Sequence, residues 1–318
     1  MFGGKILCKT AKSYVSVYIT NIRKLYNYKI MKARLVNINI GYFKGWYFKC
    51  STKDKTIAFI PAYHYSNNKK SASLQIITDE KAFNIPFEKL EYTEKPLYVK
   101  IGNCIFSERG ITLDFQSNDL TLKGVLDFKD FSPIGYDIMG PFKYVPFMQC
   151  RHSVYSMRHK INGQITVNDQ LYKFENGIGY VEGDRGHSFP KKYIWTQCCF
   201  KNNSLMLSVA DIPFLGSHFT GIIGVVLFDE KEHRIATYLG ARITQVDKNT
   251  VMIKQGSFEF TAKLLKKNAQ PLAAPSNGDM CRTIHESAAC EAYYRFSHKD
   301  RVLCEFTTDK ASFEFEYN

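Results

Sequence analysis

The sequence predicts an all-β protein built as two antiparallel β-barrel domains packed together. Three observations predict it. From Gly41 onward, short segments rich in Val, Ile, Thr, Tyr and Phe are separated by Gly, Asn, Asp and Pro. Helical periodicity is nearly absent. The length of 318 residues is large for one core and ample for two.

Residues 1–40 read as a basic N-terminal extension. Tyr14, Val17, Tyr18, Ile22 and Leu25 would line one side of a helix, but the β-branched and tyrosine content works against one. The extension is expected to be a disordered tail, or an upstream segment if translation starts at Met31. As a function, the segment suits peripheral contact with an anionic membrane.

The first domain is expected over residues 41–135, with strands at Tyr42–Cys50, Thr56–Tyr65, Ser73–Thr78, Leu97–Phe106, Gly110–Phe115 and Leu120–Phe128. Pro133, Gly135, Gly140, Pro141 and Pro146 crowd the stretch from Asp130 to Pro146, which makes it the best boundary candidate. The second domain is expected over 136–318. Its strands begin with Met148–Lys160, Gly163–Val167, Gln170–Phe174 and Tyr180–Glu182, then Tyr193–Phe200, Leu205–Ala210 and Gly221–Phe228. Ile235–Val246, Val251–Lys254, Ser257–Leu264, Tyr293–Ser297 and Val302–Phe306 complete the series. Asn162-Gly163 and Asn176-Gly177 are hairpin signals, since both residue types tolerate the positive φ of a type I′ turn. Small antiparallel barrels leave room for one ligand.

The net charge of +13 is unevenly distributed. Eleven of the 43 basic residues precede the first acidic one, Asp54, which leaves 32 against 30 acidic residues in the rest. A near-neutral body argues against nucleic acid as a partner. The nine cysteines include no C-x-x-C and no zinc spacing. That usage implies a reducing, cytoplasmic setting. The sequence shows neither a signal peptide's apolar run nor a spanning one. Phosphate loops, nucleophile elbows, zinc-protease motifs and dinucleotide fingerprints are missing from the sequence, and no metal or other cofactor is expected.

The richest polar cluster is Gly179-Tyr180-Val181-Glu182-Gly183-Asp184-Arg185-Gly186-His187-Ser188-Phe189-Pro190. In an extended strand Glu182 and Asp184 point to the same side, roughly 7 Å apart. Burial and mutual repulsion would raise one pKa and make that group a general acid, with Arg185 or His187 holding the other ionised. The alternative is a solvated turn with an arginine–carboxylate pair. Tyr193, Trp195 and Gln197 alternate onto one face, a wall suited to an aromatic ligand or to a carbocation, or else plain core packing. His152 shares a strand face with Met148, Cys150 and Val154, and Tyr155, Met157 and His159 share the other. A lone histidine there is either a satisfied core residue or a ligand contact.

Several runs resemble the tocopherol cyclase family: Gly45-Trp46-Tyr47-Phe48-Lys49, Ala58-Phe59-Ile60-Pro61, Ile138-Met139-Gly140, Val145-Pro146-Phe147-Met148 and Ser156-Met157-x-His159. The cluster from Gly179 to Pro190, Trp195-x-Gln197, Ser208-Val209-Ala210-x-Ile212-Pro213 and Phe219-x-Gly221 add to them. The resemblance spans roughly Gly41 to Ala241 and implies two lipocalin-like barrels, as in carotenoid hydratase-like and survival-factor-like proteins. It implies cofactor-free, acid-catalysed closure of a prenylated benzoquinol to a chromanol, or a related addition to an isoprenoid double bond. Asp184 or Glu182 would donate the proton, Trp195, Tyr193 and Trp46 would wall the cation, and Gln197 or His187 would orient the phenol. The family's Asp-Trp-Gly-Arg-Ser-Phe-Pro reads Asp184-Arg185-Gly186-His187-Ser188-Phe189-Pro190 here, and its Met-Glu-Cys-Tyr-His reads Met148-Gln149-Cys150-Arg151-His152. A non-catalytic carrier of an apolar isoprenoid or lipid is the competing expectation.

Overall fold

The computed structural model describes residues 41–145, 148–214, 217–299 and 301–317. The N-terminal extension lies outside the described residues, as do Pro146 and Phe147 of the family-like runs. No helix among the described residues is long and apolar enough to cross a membrane.

Two large antiparallel sheets make up most of the described residues. The first contains β1 (Tyr42–Ser51), β2 (Thr56–Ser66), β3 (Lys69–Thr78), β4 (Ala82–Phe87), β5 (Glu91–Glu94), β6 (Leu97–Ile101), β7 (Cys104–Ser107), β8 (Gly110–Gln116), β9 (Thr121–Lys129), β10 (Cys150–Val167) and β11 (Gln170–Gly186). Their spatial order is β4-β3-β2-β1-β11-β10-β9-β8-β7-β6-β5. The second holds β12 (Tyr193–Phe200), β13 (Asn203–Phe214), β14 (Ser217–Phe228), β15 (Lys231–Ala236), β16 (Arg242–Asp247), β17 (Thr250–Gln255), β18 (Phe258–Lys266), β19 (Gln270–Ser276), β20 (Asp279–His298) and β21 (Arg301–Glu316). Its order is β15-β14-β13-β12-β21-β20-β18-β17-β16, with β19 paired to β20 off this path.

The sheets are lipocalin-like, but the barrels do not close by hydrogen bonding. In the first, β4 and β5 remain edges, and aromatic side chains span the gap, with Phe87 of β4 lying 5.8 Å from Phe115 of β8. In the second, one side chain joins the edge strand β15 to β17. Gln255 accepts from Ala236 N at 2.9 Å and donates to the Arg234 carbonyl at 2.8 Å.

Each sheet curls around its own apolar core, and a third cluster fills the seam between them. The seam explains an unusual feature of β1, whose residues from Trp46 to Cys50 are all buried. Trp46, Phe48 and Cys50 face the interior of the first sheet, while Tyr47 faces the seam.

Three expectations need correction. The stretch from Asp130 to Pro146 joins β9 to β10 inside the first sheet, so 136 does not divide the two sheets; the chain changes sheet between Gly186 and Tyr193. Proline and glycine mark this loop because it crosses the seam, where it contributes Ile138 and Met139. Asn162-Gly163 and Asn176-Gly177 are not hairpin turns. They sit opposite each other within β10 and β11, with Gly163 at φ 122° beside a register shift and Asn176 at φ 54°. A β-bulge draws on the same tolerance of positive φ as a tight turn. Bulges between Val154 and Ser156 and between Ser156 and His159 also break the alternation expected for β10. Tyr155 therefore packs on the first core while Met157 enters the seam.

Candidate functional site

Strand alternation and register assemble the site at the seam. Glu182 and Asp184 point the same way from β11, and the pairing of His152 with Asp184 sets the imidazole of β10 beside them. Tyr47 stands opposite Glu182 across the β1–β11 ladder. From the other sheet, β12 contributes Tyr193 and Trp195, and Trp195 pairs with Glu314 of β21.

His152 is the centre of the group. Its Nδ1 bonds Asp184 Oδ1 at 3.0 Å, and its Nε2 lies 3.0 Å from Glu182 Oε2, off the line of the N–H. Burial alone would lower this histidine's pKa, but the Glu182 and Asp184 carboxylates outweigh that penalty and hold it well above the usual range. The residue is an imidazolium clamped between two carboxylates. Glu182 Oε2 also accepts the Tyr180 hydroxyl at 2.5 Å and the Trp195 indole N–H at 3.2 Å. Asp184 Oδ1 accepts the Cys150 thiol at 3.2 Å.

Two further carboxyl groups close the far side. Glu286 is 3% exposed and Glu314 8%. Burial, with Glu182 nearby, pushes Glu286 up to about 8. Burial and the Glu286 and Glu182 charges push Glu314 well above the carboxylate range, and Tyr193 donates its hydroxyl to Glu314. Burial thus biases both toward the neutral carboxylic acid. Tyr47 stacks edge-on against Trp195 at 5.5 Å and shares a 3.2 Å hydrogen bond with Ser312.

This polar wall faces a cavity of about 100 Å³ lined by His152, Glu182, Asp184, Tyr193, Trp195 and Glu314 among apolar neighbours such as Met139 and Phe189. A smaller cavity of about 80 Å³ lies on the other side of Glu182 and Glu314 and is lined by Tyr47 and Glu286. Pockets for drug-sized ligands measure roughly 300–1,000 Å³, so the first cavity holds only one end of such a molecule, with the remainder at its mouth. His152, Glu182 and Asp184 offer ligand atoms within 4.8 Å of one another. The imidazole, however, takes one carboxylate on each nitrogen, an arrangement for moving a proton rather than for surrounding an ion.

The structure therefore brings together Glu182, Asp184, His152, Tyr193 and Trp195. It does not bring in the other four expected residues. Trp46 borders the smaller cavity but packs in the first core, 5.0 Å from Tyr92, because it is one residue out of phase with Tyr47. Arg185 is out of phase with Asp184 and lies 3.7 Å from Glu94. His187, half-buried beyond the end of β11, contacts Ser188 instead. Gln197 shares a face with Trp195 but lies one layer further along the seam, where it accepts a hydrogen bond from Lys49. Glu286 and Glu314 were missed by the sequence reading. The available signal was weak: a glutamate between Phe313 and Phe315 reads equally well as the solvent side of an alternating strand.

A family model described as tocopherol cyclase-like matches residues 134–213. No curated protein matches the chain. Among solved structures, CghA superimposes with a TM-score of 0.54 at 8% identity, covering 87% of this chain and 88% of its own. Kievitone hydratase from Nectria haematococca gives 0.49 at 9% identity, covering 88% and 90%. At such identities the likeness to CghA concerns the fold. The matched segment holds His152, Glu182, Asp184, Tyr193 and Trp195, while Tyr47, Glu286 and Glu314 come from outside it. Over residues 134–213 the chain is tocopherol cyclase-like.

Proposed function

We propose that this protein is an acid–base catalyst that adds an oxygen nucleophile across a carbon–carbon double bond of a largely apolar, isoprenoid-like molecule, as in closing a prenylated quinol to a chromanol. The observation that carries the reading is the His152 imidazolium held between Glu182 and Asp184 at the end of an aromatic-walled cavity. The reaction needs a proton at the alkene, shelter for the resulting tertiary cation, and an oxygen held within reach. The proton passes along the Nδ1–Asp184 hydrogen bond and is delivered by Asp184, the more accessible carboxyl, at 25% side-chain exposure against 6% for Glu182. Trp195 and Tyr193 face the cation with π-density. The hydroxyl proton released on attack returns to the same group, so no proton is consumed overall. Glu182, tied to Tyr180 and Trp195, fixes the imidazole.

The test is incubation of purified protein with a panel of prenylated hydroquinones, with chromanol detected by mass spectrometry. Turnover that disappears in Asp184→Asn, while circular dichroism is unchanged, supports the reading. Absence of turnover with every member, combined with tight uptake of the same molecules by both wild type and Asp184→Asn, would indicate a carrier instead. A carrier of apolar cargo has no use for a buried imidazolium–carboxylate cluster.

A further inference from the structure

Lys49 continues the seam one layer beyond Tyr47. It is 4% exposed, and no carboxylate lies within ion-pair distance of it among the described residues. Its ammonium donates to Gln197 Oε1 at 3.2 Å and to the Lys310 carbonyl at 2.8 Å, both neutral acceptors. An ammonium has three donors, so one N–H is left without a partner among the described residues. A buried cation with no counter-charge is costly. Burial pushes the Lys49 pKa down accordingly.

The lysine is at the floor of a separate cleft of about 530 Å³, a small-molecule volume. Gln197, Tyr180 and Cys199 share the floor, and the lining as a whole carries four lysines against two acidic residues, Asp54 and Glu175. One of those acids is already engaged, since Glu175 pairs with Lys173 at 2.6 Å. That pair cancels, which leaves Lys49, Lys53 and Lys310 against Asp54, a net positive lining that includes the unpaired N–H.

We propose that this cleft is a second binding site, for a small anion whose carboxylate or phosphate group seats on Lys49 and supplies the missing counter-charge. The site is separate from the acid–base cavity, and its existence does not depend on the reaction proposed there. Tyr180 stands between them: it is among the residues lining the cleft, and its hydroxyl bonds Glu182.

The experiment is calorimetric titration of the full chain at fixed ionic strength, with inorganic phosphate in one arm and benzoate in the other. One saturable site per chain for at least one probe is expected, and the arm that responds identifies the headgroup. Lys49→Met should weaken that binding about tenfold or more, as loss of a charge-assisted contact does, and Lys49→Gln should do the same. Lys53→Met, at the rim, should change it less than about threefold. The proposal is overturned if neither probe saturates the wild type, or if a folded Lys49→Met or Lys49→Gln variant binds as tightly as the wild type.

Discussion

His152 and Glu286 tie stability to pH in the same direction. The His152 pKa is raised on folding, so the imidazolium's contribution is fully present below its unfolded value of 6.5 and is lost as pH rises through the folded one. Glu286 is protonated in both states below about 4.5. Between there and about 8 only the unfolded chain ionises, so unfolding releases a proton and stability falls as pH rises. Glu286→Gln should remove a share of that slope on the order of a few kcal/mol, seen as thermal midpoints that fall less between pH 5 and 8 than those of the wild type. Equal slopes in the two proteins would show that Glu286 ionises as readily folded as unfolded. For activity, His152→Gln keeps the hydrogen-bonding reach but loses the mobile proton. Turnover should fall by about 10²–10⁴-fold, with ligand affinity little changed.

The strand pair β10–β11 holds the acid site in register, and it depends on a glycine. A Cβ on Gly179 would lie 2.0 Å from His159 Nε2, because the imidazole lies flat over the α-carbon. That ring is wedged 4.3 Å from Phe128 and 5.2 Å from Phe131, and burial pushes its pKa down to about 3, so it is a neutral packing residue. Gly179→Ala should therefore force β10 away from β11, at a cost of about 1–3 kcal/mol. The urea midpoint should drop without a change in slope. Since His152 and Asp184 meet across the same ladder, activity should fall with it. The bulges in β10 serve the same end, shifting Met157 into the seam while leaving His152 opposite Asp184.

At the scale of the whole molecule, the two sheets act as one because polar side chains reach across the seam. Gln75 of β3, 2% exposed, donates to the Ala273 carbonyl at 3.0 Å and accepts the Ala273 N–H at 2.9 Å, docking β19 as a strand partner would. Gln75→Leu strips both bonds and leaves two half-buried backbone groups without their side-chain partner, a loss of about 1–3 kcal/mol. Calorimetry should then resolve two unfolding transitions where the wild type shows one; a single, merely shifted peak would mean that the apolar seam alone couples the sheets. The site draws on both sheets, so uncoupling them should also separate Trp195 from Glu182.

The sequence alone determined most of the strands and, where no bulge intervenes, the assignment of residues to faces, because alternation is a local property of extended backbone. Glu182 with Asp184, and Tyr193 with Trp195, were legible for that reason. Tertiary structure alone decided which face of a strand buried on both sides meets the other sheet. Alternation sorts Trp46 and Tyr47 into separate sets but does not say which set lines the seam. The same limit explains Arg185, out of phase with Asp184 and close to it only along the chain. Glu286 and Glu314 reach the site through strand order and the packing of one sheet on the other, and a buried carboxyl's protonation depends on which charges packing sets around it, not on its neighbours in the chain.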